Sequence, residues 1–286
     1  MNWIIGITVG IIVGYLLDRE IYFYEGVHLG PRVQAWLYDR WSKKYDVGKR
    51  ESQLRDEEML ARPLLAMLKD NPNPFILDFA TGTGRLSFAL LNHADFNGHI
   101  IALDLSQGML EQAVEKLSRA ERRDDDPSSR SRSARVEFIR HLALPLPFPD
   151  STFDAVCALE VLELFPTMDE PLAELTRVLR PGGILLTSRG TEESGRRAKV
   201  KGKPVFTSLL EKNGLREIQI TTWWKFFDRV LARKTGESQP VGAKRLSDVI
   251  RCRVCGQIQW GREAKGMTCQ NCGEKLSVTN DGIVLN

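Results

Sequence analysis

The stretch Phe75-Ile76-Leu77-Asp78-Phe79-Ala80-Thr81-Gly82-Thr83-Gly84-Arg85-Leu86-Ser87-Phe88-Ala89-Leu90 constrains the fold more than any other part of this chain. An apolar run ending in an acid is followed by a glycine-spaced turn, then by Leu86, Ala89 and Leu90 in helical register. That order reads as strand, tight loop and helix, the first half of a nucleotide-binding βαβ unit. Gly82 and Gly84 reach backbone angles closed to other residues, and lacking a Cβ they let a ligand lie against the main chain. A dinucleotide fingerprint would carry a third glycine at the position of Ser87 and seat a pyrophosphate on the helix N-terminus. Asp78, just before the loop, instead suits an ammonium group.

The second half of the unit follows. His99-Ile100-Ile101-Ala102-Leu103-Asp104-Leu105-Ser106 is another buried-strand pattern ending in an acid, about 20 residues past the glycines, where a carboxylate accepts hydrogen bonds from ribose hydroxyls. Ser106 caps a helix whose Leu110, Ala113, Val114 and Leu117 share one face. The motifs DFATGTG and ALDLSQGML resemble those of class I S-adenosylmethionine-dependent methyltransferases. LPFPDSTFDAV and LAELTRVLRPGGILL are similar to the fourth and fifth strand regions of the ubiquinone and menaquinone biosynthesis type of that superfamily. The resemblance spans roughly residues 38 to 235. It implies an α/β, Rossmann-like, doubly wound sheet of seven strands with an antiparallel last hairpin. It also implies S-adenosylmethionine as methyl donor, held by Asp78, Ala80, Gly82, Gly84, Asp104, Leu105, Met109, Leu142, Ala143 and Leu159. Many members carry an acid for the adenine amino group after the third strand, Val136–Ile139; here Leu142 stands in its place, leaving apolar walls such as Ala143 and Leu105.

At the end of the fourth strand, Phe153 to Leu159, come Glu160 and Glu163. Some quinone-pathway relatives have a similar acid pair followed by a metal-binding His, but this chain has Leu164 there. Glu160 or Glu163 as a general base, or the pair as a solvated face, both remain open. Tyr45, in the helical segment Pro31–Leu68 that in such enzymes covers the cofactor, is a further catalytic candidate against a plain packing role.

Outside the core, Asn2 to Leu17 hold no charge. At helical rise this run spans ~25 Å, and it reads as a transmembrane anchor within residues 1–20. Basic residues follow it and none precedes it, so the catalytic part is expected on the cytoplasmic side of a single-pass cell-membrane protein. A helical cover over 21–72 leads to the methyltransferase domain at 73–236. Two polar tracts, Glu121–Ser133 and the basic run Arg196–Lys203, read as exposed loops. A linker at 237–247 precedes a module at 248–286 with Cys252-x-x-Cys255-Gly256 and Cys269-x-x-Cys272-Gly273. These knuckles resemble a zinc ribbon, with four thiolates on one structural zinc. Cys157, the remaining one of 5 cysteines, reads as an inert core residue.

A net charge of +3 does not announce a nucleic-acid partner. The expected function is methyl transfer from S-adenosylmethionine to a small-molecule, quinone-like or lipid acceptor at the membrane. An RNA or protein methyltransferase targeted by the ribbon, and a non-catalytic cofactor-binding scaffold, are the alternatives.

Overall fold

The computed structural model describes residues 2–123, 135–194, 200–263 and 266–286. Most of the polar tract 121–133 and the first part of the basic run 196–203 lie outside the described residues.

The first helix, α1 (Asn2–Asp18), is apolar on every face and exposed along its length. Among the described residues, no helix is long and apolar enough to cross a membrane. The single-pass anchor is therefore corrected, and with it the cell-membrane localisation with a cytoplasmic catalytic domain. The reason is local: Asp18, Arg19 and Glu20 end the apolar run, and 17 helical residues reach ~25 Å against a hydrocarbon core of about 30 Å.

The cover helix α2 (Pro31–Gln53) begins with proline at its first position, where no donor is lost, and a short α3 (Arg62–Met67) follows. The chain then enters β1 (Phe75–Phe79), whose five residues are all buried, as expected for a strand covered on both faces. Alternation of strand and helix continues through α4 (Arg85–Asn92), β2 (His99–Asp104), α5 (Gln107–Arg123), β3 (Val136–Arg140), β4 (Phe153–Ala158), α6 (Asp169–Val178), β5 (Leu179–Gly190) and α7 (Lys203–Lys212). The hairpin β6 (Leu215–Trp224) and β7 (Phe227–Lys234) closes this part, with β7 antiparallel to both β5 and β6. The Rossmann-like sheet thus runs β6-β7-β5-β4-β1-β2-β3, parallel except at β7, with an apolar cluster on each face.

The sheet does not stop at seven strands. Four short strands follow, β8 (Trp260–Glu263), β9 (Gly266–Cys269), β10 (Lys275–Val278) and β11 (Val284–Leu285), and the order continues β3-β11-β10-β9-β8. β11 pairs in parallel with β3, Val284 opposite Ile139 and Leu285 opposite Arg140. Leu246, Val249, Ile250, Met267, Leu276 and Val284 belong to the same apolar cluster as Phe75 and Leu77. The polar segment before the module is also tied down: Asp154, on β4, accepts from the amides of Val241 and Gly242 and from Arg180 at 2.6 Å.

Candidate functional site

The loop after β1 is held open by its own backbone. Ala80, Gly82 and Gly84 all have positive φ, at 53°, 56° and 75°. A Cβ added to Gly82 would meet no atom within 4 Å, so free space lies directly over its main chain; one added to Gly84 would sit 3.0 Å from Ala113 Cβ, which keeps α5 close. Asp78 anchors this turn by accepting from the hydroxyls of Thr81 and Ser87, each at 2.6 Å.

Asp104 ends β2 beside that loop. Its carboxylate accepts from the amides of Gly82 and Ser106, both at 2.8 Å, and no ion pair involving it occurs among the described residues. Burial pushes its carboxyl up to about 6, although the hydrogen bonds from Ser106 and Gly82 pull the other way. The cover helix docks at the same place: Asp39 accepts from Ser106 Oγ at 2.6 Å and from the Gly108 amide at 2.8 Å, so α2 caps the start of α5.

These elements surround a cavity of about 350 Å³ at the C-terminal ends of the parallel strands. Of the residues expected to hold the donor, Ala80, Gly82, Asp104, Leu105, Met109, Leu142, Ala143 and Leu159 line it, and so do Tyr45 and Glu160. Asp78, Gly84 and Glu163 do not line it. Asp78 and Gly84 shape the loop from behind. Glu163 is buried against β5, one oxygen accepting from the Gly190 amide at 2.7 Å and the other without a partner among the described residues, and burial pushes its carboxyl up.

Glu160 sits at the end of a strand with φ 54°, its amide donating to Ser188 Oγ at 2.6 Å. Both of its carboxylate oxygens face cations: Oε1 accepts from Arg85 Nη1 at 2.9 Å, and Oε2 from Lys49. Arg85 also holds Asp56 through Nε and Nη2 at 2.8 and 2.6 Å, and lies over the Trp223 ring at 4.6 Å. Asp56, Arg85, Glu160 and Lys49 thus form a chain of alternating charge between the cover and the core. Sequence reasoning singled out neither Lys49 nor Arg85. Arg85 follows the glycine loop directly, a position from which a long cation reaches the strand ends. Lys49 gave no signal at all, being a cation on a polar helix. His141 was also missed; it lines the cavity and contacts Asn286 at 3.0 Å.

An acid backed by amides, open space over a glycine loop and an apolar far wall thus meet in one cavity. Residues 77–187 match the methyltransferase domain family. A demethylmenaquinone methyltransferase of Lactobacillus johnsonii is 30% identical over 183 residues, covering 62% of this chain and 71% of that protein. The chain belongs to the S-adenosylmethionine-dependent methyltransferases. A ubiquinone/menaquinone biosynthesis C-methyltransferase of Roseobacter denitrificans is 32% identical over 162 residues, 57% of this chain and 60% of that protein. The chain spans 55%, 60% and 60% of the first curated methyltransferases it matches, so the likeness stops well short of their full lengths. The fold matches that of a SAM-dependent methyltransferase from Aquifex aeolicus with a TM-score of 0.51 at 20% identity, over 68% of this chain and 97% of that one.

The methyltransferase core carries a second cluster at its edge. The Sγ atoms of Cys252, Cys255, Cys269 and Cys272 lie within 4.8 Å of one another, with Cys252–Cys272 at 3.5 Å and Cys255–Cys269 at 3.6 Å. Four sulfurs at Zn–S bonds of about 2.3 Å would stand ~3.8 Å apart in a tetrahedron, so the set fits one ion with no fifth position. Gly256 and Gly273, with φ 72° and 78°, turn each knuckle, their amides donating to the carbonyls of Cys252 and Cys269.

Proposed function

We propose that this chain transfers a methyl group from S-adenosylmethionine to a small, apolar, quinone-like acceptor. The observation that carries the reading is the Asp104 carboxylate, buried, held by two amides and without a cation partner among the described residues, facing the space over Gly82. When bound, the donor supplies a methyl group on a positively charged sulfur, a good leaving group. Asp104 would accept from the ribose hydroxyls, and Ala80 and Gly82 would border the donor with main chain. Leu105, Met109, Leu142 and Ala143 would enclose the adenine without an acid, and Leu159 would lie along the same wall. The remaining work is alignment and exclusion of water, which α2 performs by closing over the cavity through Asp39. Glu160, paired with two cations, serves this reading as an organiser of the cover, and Tyr45 as part of the wall toward the acceptor. The names of the curated relatives support a quinone-type acceptor.

The cysteine cluster is read as a structural zinc site, because its four thiolates complete the metal's shell. Incubation with methyl-labelled S-adenosylmethionine and a demethylated quinol, with total RNA in parallel, tests the proposal. Label in the quinol is expected. Label in RNA alone would replace this reading with the nucleic-acid one, and donor binding with no transfer to any acceptor would favour a scaffold.

A further inference from the structure

A second cavity, of about 200 Å³, shares Tyr38, Tyr45 and Glu160 with the donor cavity. One bank comes from α2, with Tyr38, Trp41 and Tyr45 one helical turn apart; the opposite bank comes from the β6–β7 turn, with Trp224, Phe226 and Phe227. The rings are mutually packed: Trp224 lies edge-on to Phe226 at 4.9 Å and stacks at 29° on Phe227 at 6.0 Å, while Tyr38 and Trp41 meet at 5.5 Å. Between the banks stands the Lys49 ammonium, 5.6 Å from the Trp224 ring centre, 5.8 Å from that of Tyr45 and 6.0 Å from that of Phe227.

An aromatic box usually selects a cation. Here the chain has placed its own ammonium in that position, so a cationic guest would meet a like charge. Two acids also line the space, Glu160 and Glu25, the latter accepting from the Tyr38 hydroxyl, and they disfavour a guest with a carboxylate. What remains compatible is a flat, neutral ring that stacks between the banks and carries an oxygen able to accept from Lys49. The Lys49 ammonium donates to Glu160 and has two further N–H groups to offer such a guest, and Glu160 also keeps Arg85, so a shift of Lys49 toward the guest leaves no unpaired buried charge. The volume lies below the 300–1,000 Å³ of sites that enclose a drug-sized ligand, so it admits one or two fused rings and leaves any long substituent outside.

We infer that this slot binds the ring of a hydroxylated planar aromatic, a phenol, naphthol or quinol, with the Lys49 ammonium donating to its hydroxyl oxygen. The inference rests on the proposed methyl transfer, for which it names the acceptor subsite and Lys49 as the binding residue that selects the oxygen.

The test is calorimetric titration of the full chain with 2-naphthol and with naphthalene, with and without S-adenosylhomocysteine. 2-Naphthol is expected to bind at least tenfold more tightly than naphthalene, as one hydrogen bond to a charged donor implies. Lys49→Met should erase that preference, Lys49→Arg should keep most of it, and Trp224→Leu should weaken both compounds. Equal affinity for naphthol and naphthalene in the natural chain, a preference untouched by Lys49→Met, or tighter binding of phenyltrimethylammonium would each overturn the assignment. Failure of the natural chain to bind S-adenosylhomocysteine would count against the proposed function, whereas donor-site binding without any naphthol binding would count against this slot alone.

Discussion

At the scale of single residues, Asp104 carries most of the argument. It is buried, anchored by amides and paired with no cation among the described residues, so ribose hydroxyls would meet an acceptor already desolvated and aimed. Asp104→Ala is expected to weaken S-adenosylhomocysteine binding by about 1.5 to 3 kcal/mol, the range for hydrogen bonds to a charged group. Calorimetry on the folded variant measures it, and an unchanged affinity would mean that the ribose lies elsewhere. The same residue sets a pH dependence. Its carboxyl is raised from 3.8 to about 6 in the folded chain. Below about pH 4 it is protonated whether folded or not; above that the unfolded chain loses the proton first, so this group's contribution to stability declines as pH rises to about 6. Donor affinity should climb over the same interval if the carboxylate that forms accepts from the ribose hydroxyls, as proposed. The climb should vanish in Asp104→Asn.

Between elements, the decisive contact is the charged chain that fastens the cover to the core. Arg85 opens α4 and holds Asp56, beyond the end of α2, together with Glu160, beyond the end of β4. The side chains of Arg85, Asp56 and Glu160 are 12%, 6% and 9% exposed, so each charge depends on its partner rather than on water. Burial pushes the Asp56 carboxyl up, and the ion pair with Arg85 offsets that only in part. Arg85→Ala strands the buried Asp56 carboxylate and leaves Glu160 with Lys49 alone, and a loss of roughly 3 to 5 kcal/mol is expected in urea unfolding. A loss below about 1 kcal/mol would show that solvent relieves the pair. Asp39 provides a further fastening, with two hydrogen bonds at the start of α5, and Asp46 another, to Thr83 at 2.5 Å and Lys116 at 2.7 Å.

Across the whole molecule, the cysteine module and the methyltransferase core share one sheet. β11 covers the edge of β3, and Glu137 on β3 accepts from the Leu246 amide at 2.6 Å and from Arg262 at 2.7 Å. The module also reaches the cavity, since the Asn286 amide donates to the Arg140 carbonyl at 3.1 Å and its side chain meets His141, which lines that space. If a zinc ion holds the four thiolates, elemental analysis should return close to one zinc per chain. Cys255→Ser should then lower the melting temperature and weaken donor binding several-fold through the loosened β11. A variant that melts and binds as the natural chain does would show that β11 stays in place without the metal.

The sequence by itself determined the strand–loop–helix order around Gly82, the two acids that end β1 and β2, and the spacing of the four cysteines. Each depends on neighbours in the chain: backbone angles that glycine permits, apolar runs that must be buried, ligands three positions apart. It also overestimated one such run, because Asn2–Leu17 shows no charge but closes on Asp18 after 17 helical residues. Only the tertiary structure decided that Asp78 faces its own loop while Asp104 faces the cavity, since both are acids at strand ends and differ in what packs around them. It alone brought Lys49, 111 residues away in sequence, onto Glu160, and joined β11 to β3. Charge pairing and edge-strand pairing act through space, and a linear pattern of residue types carries no record of which distant partner will satisfy them.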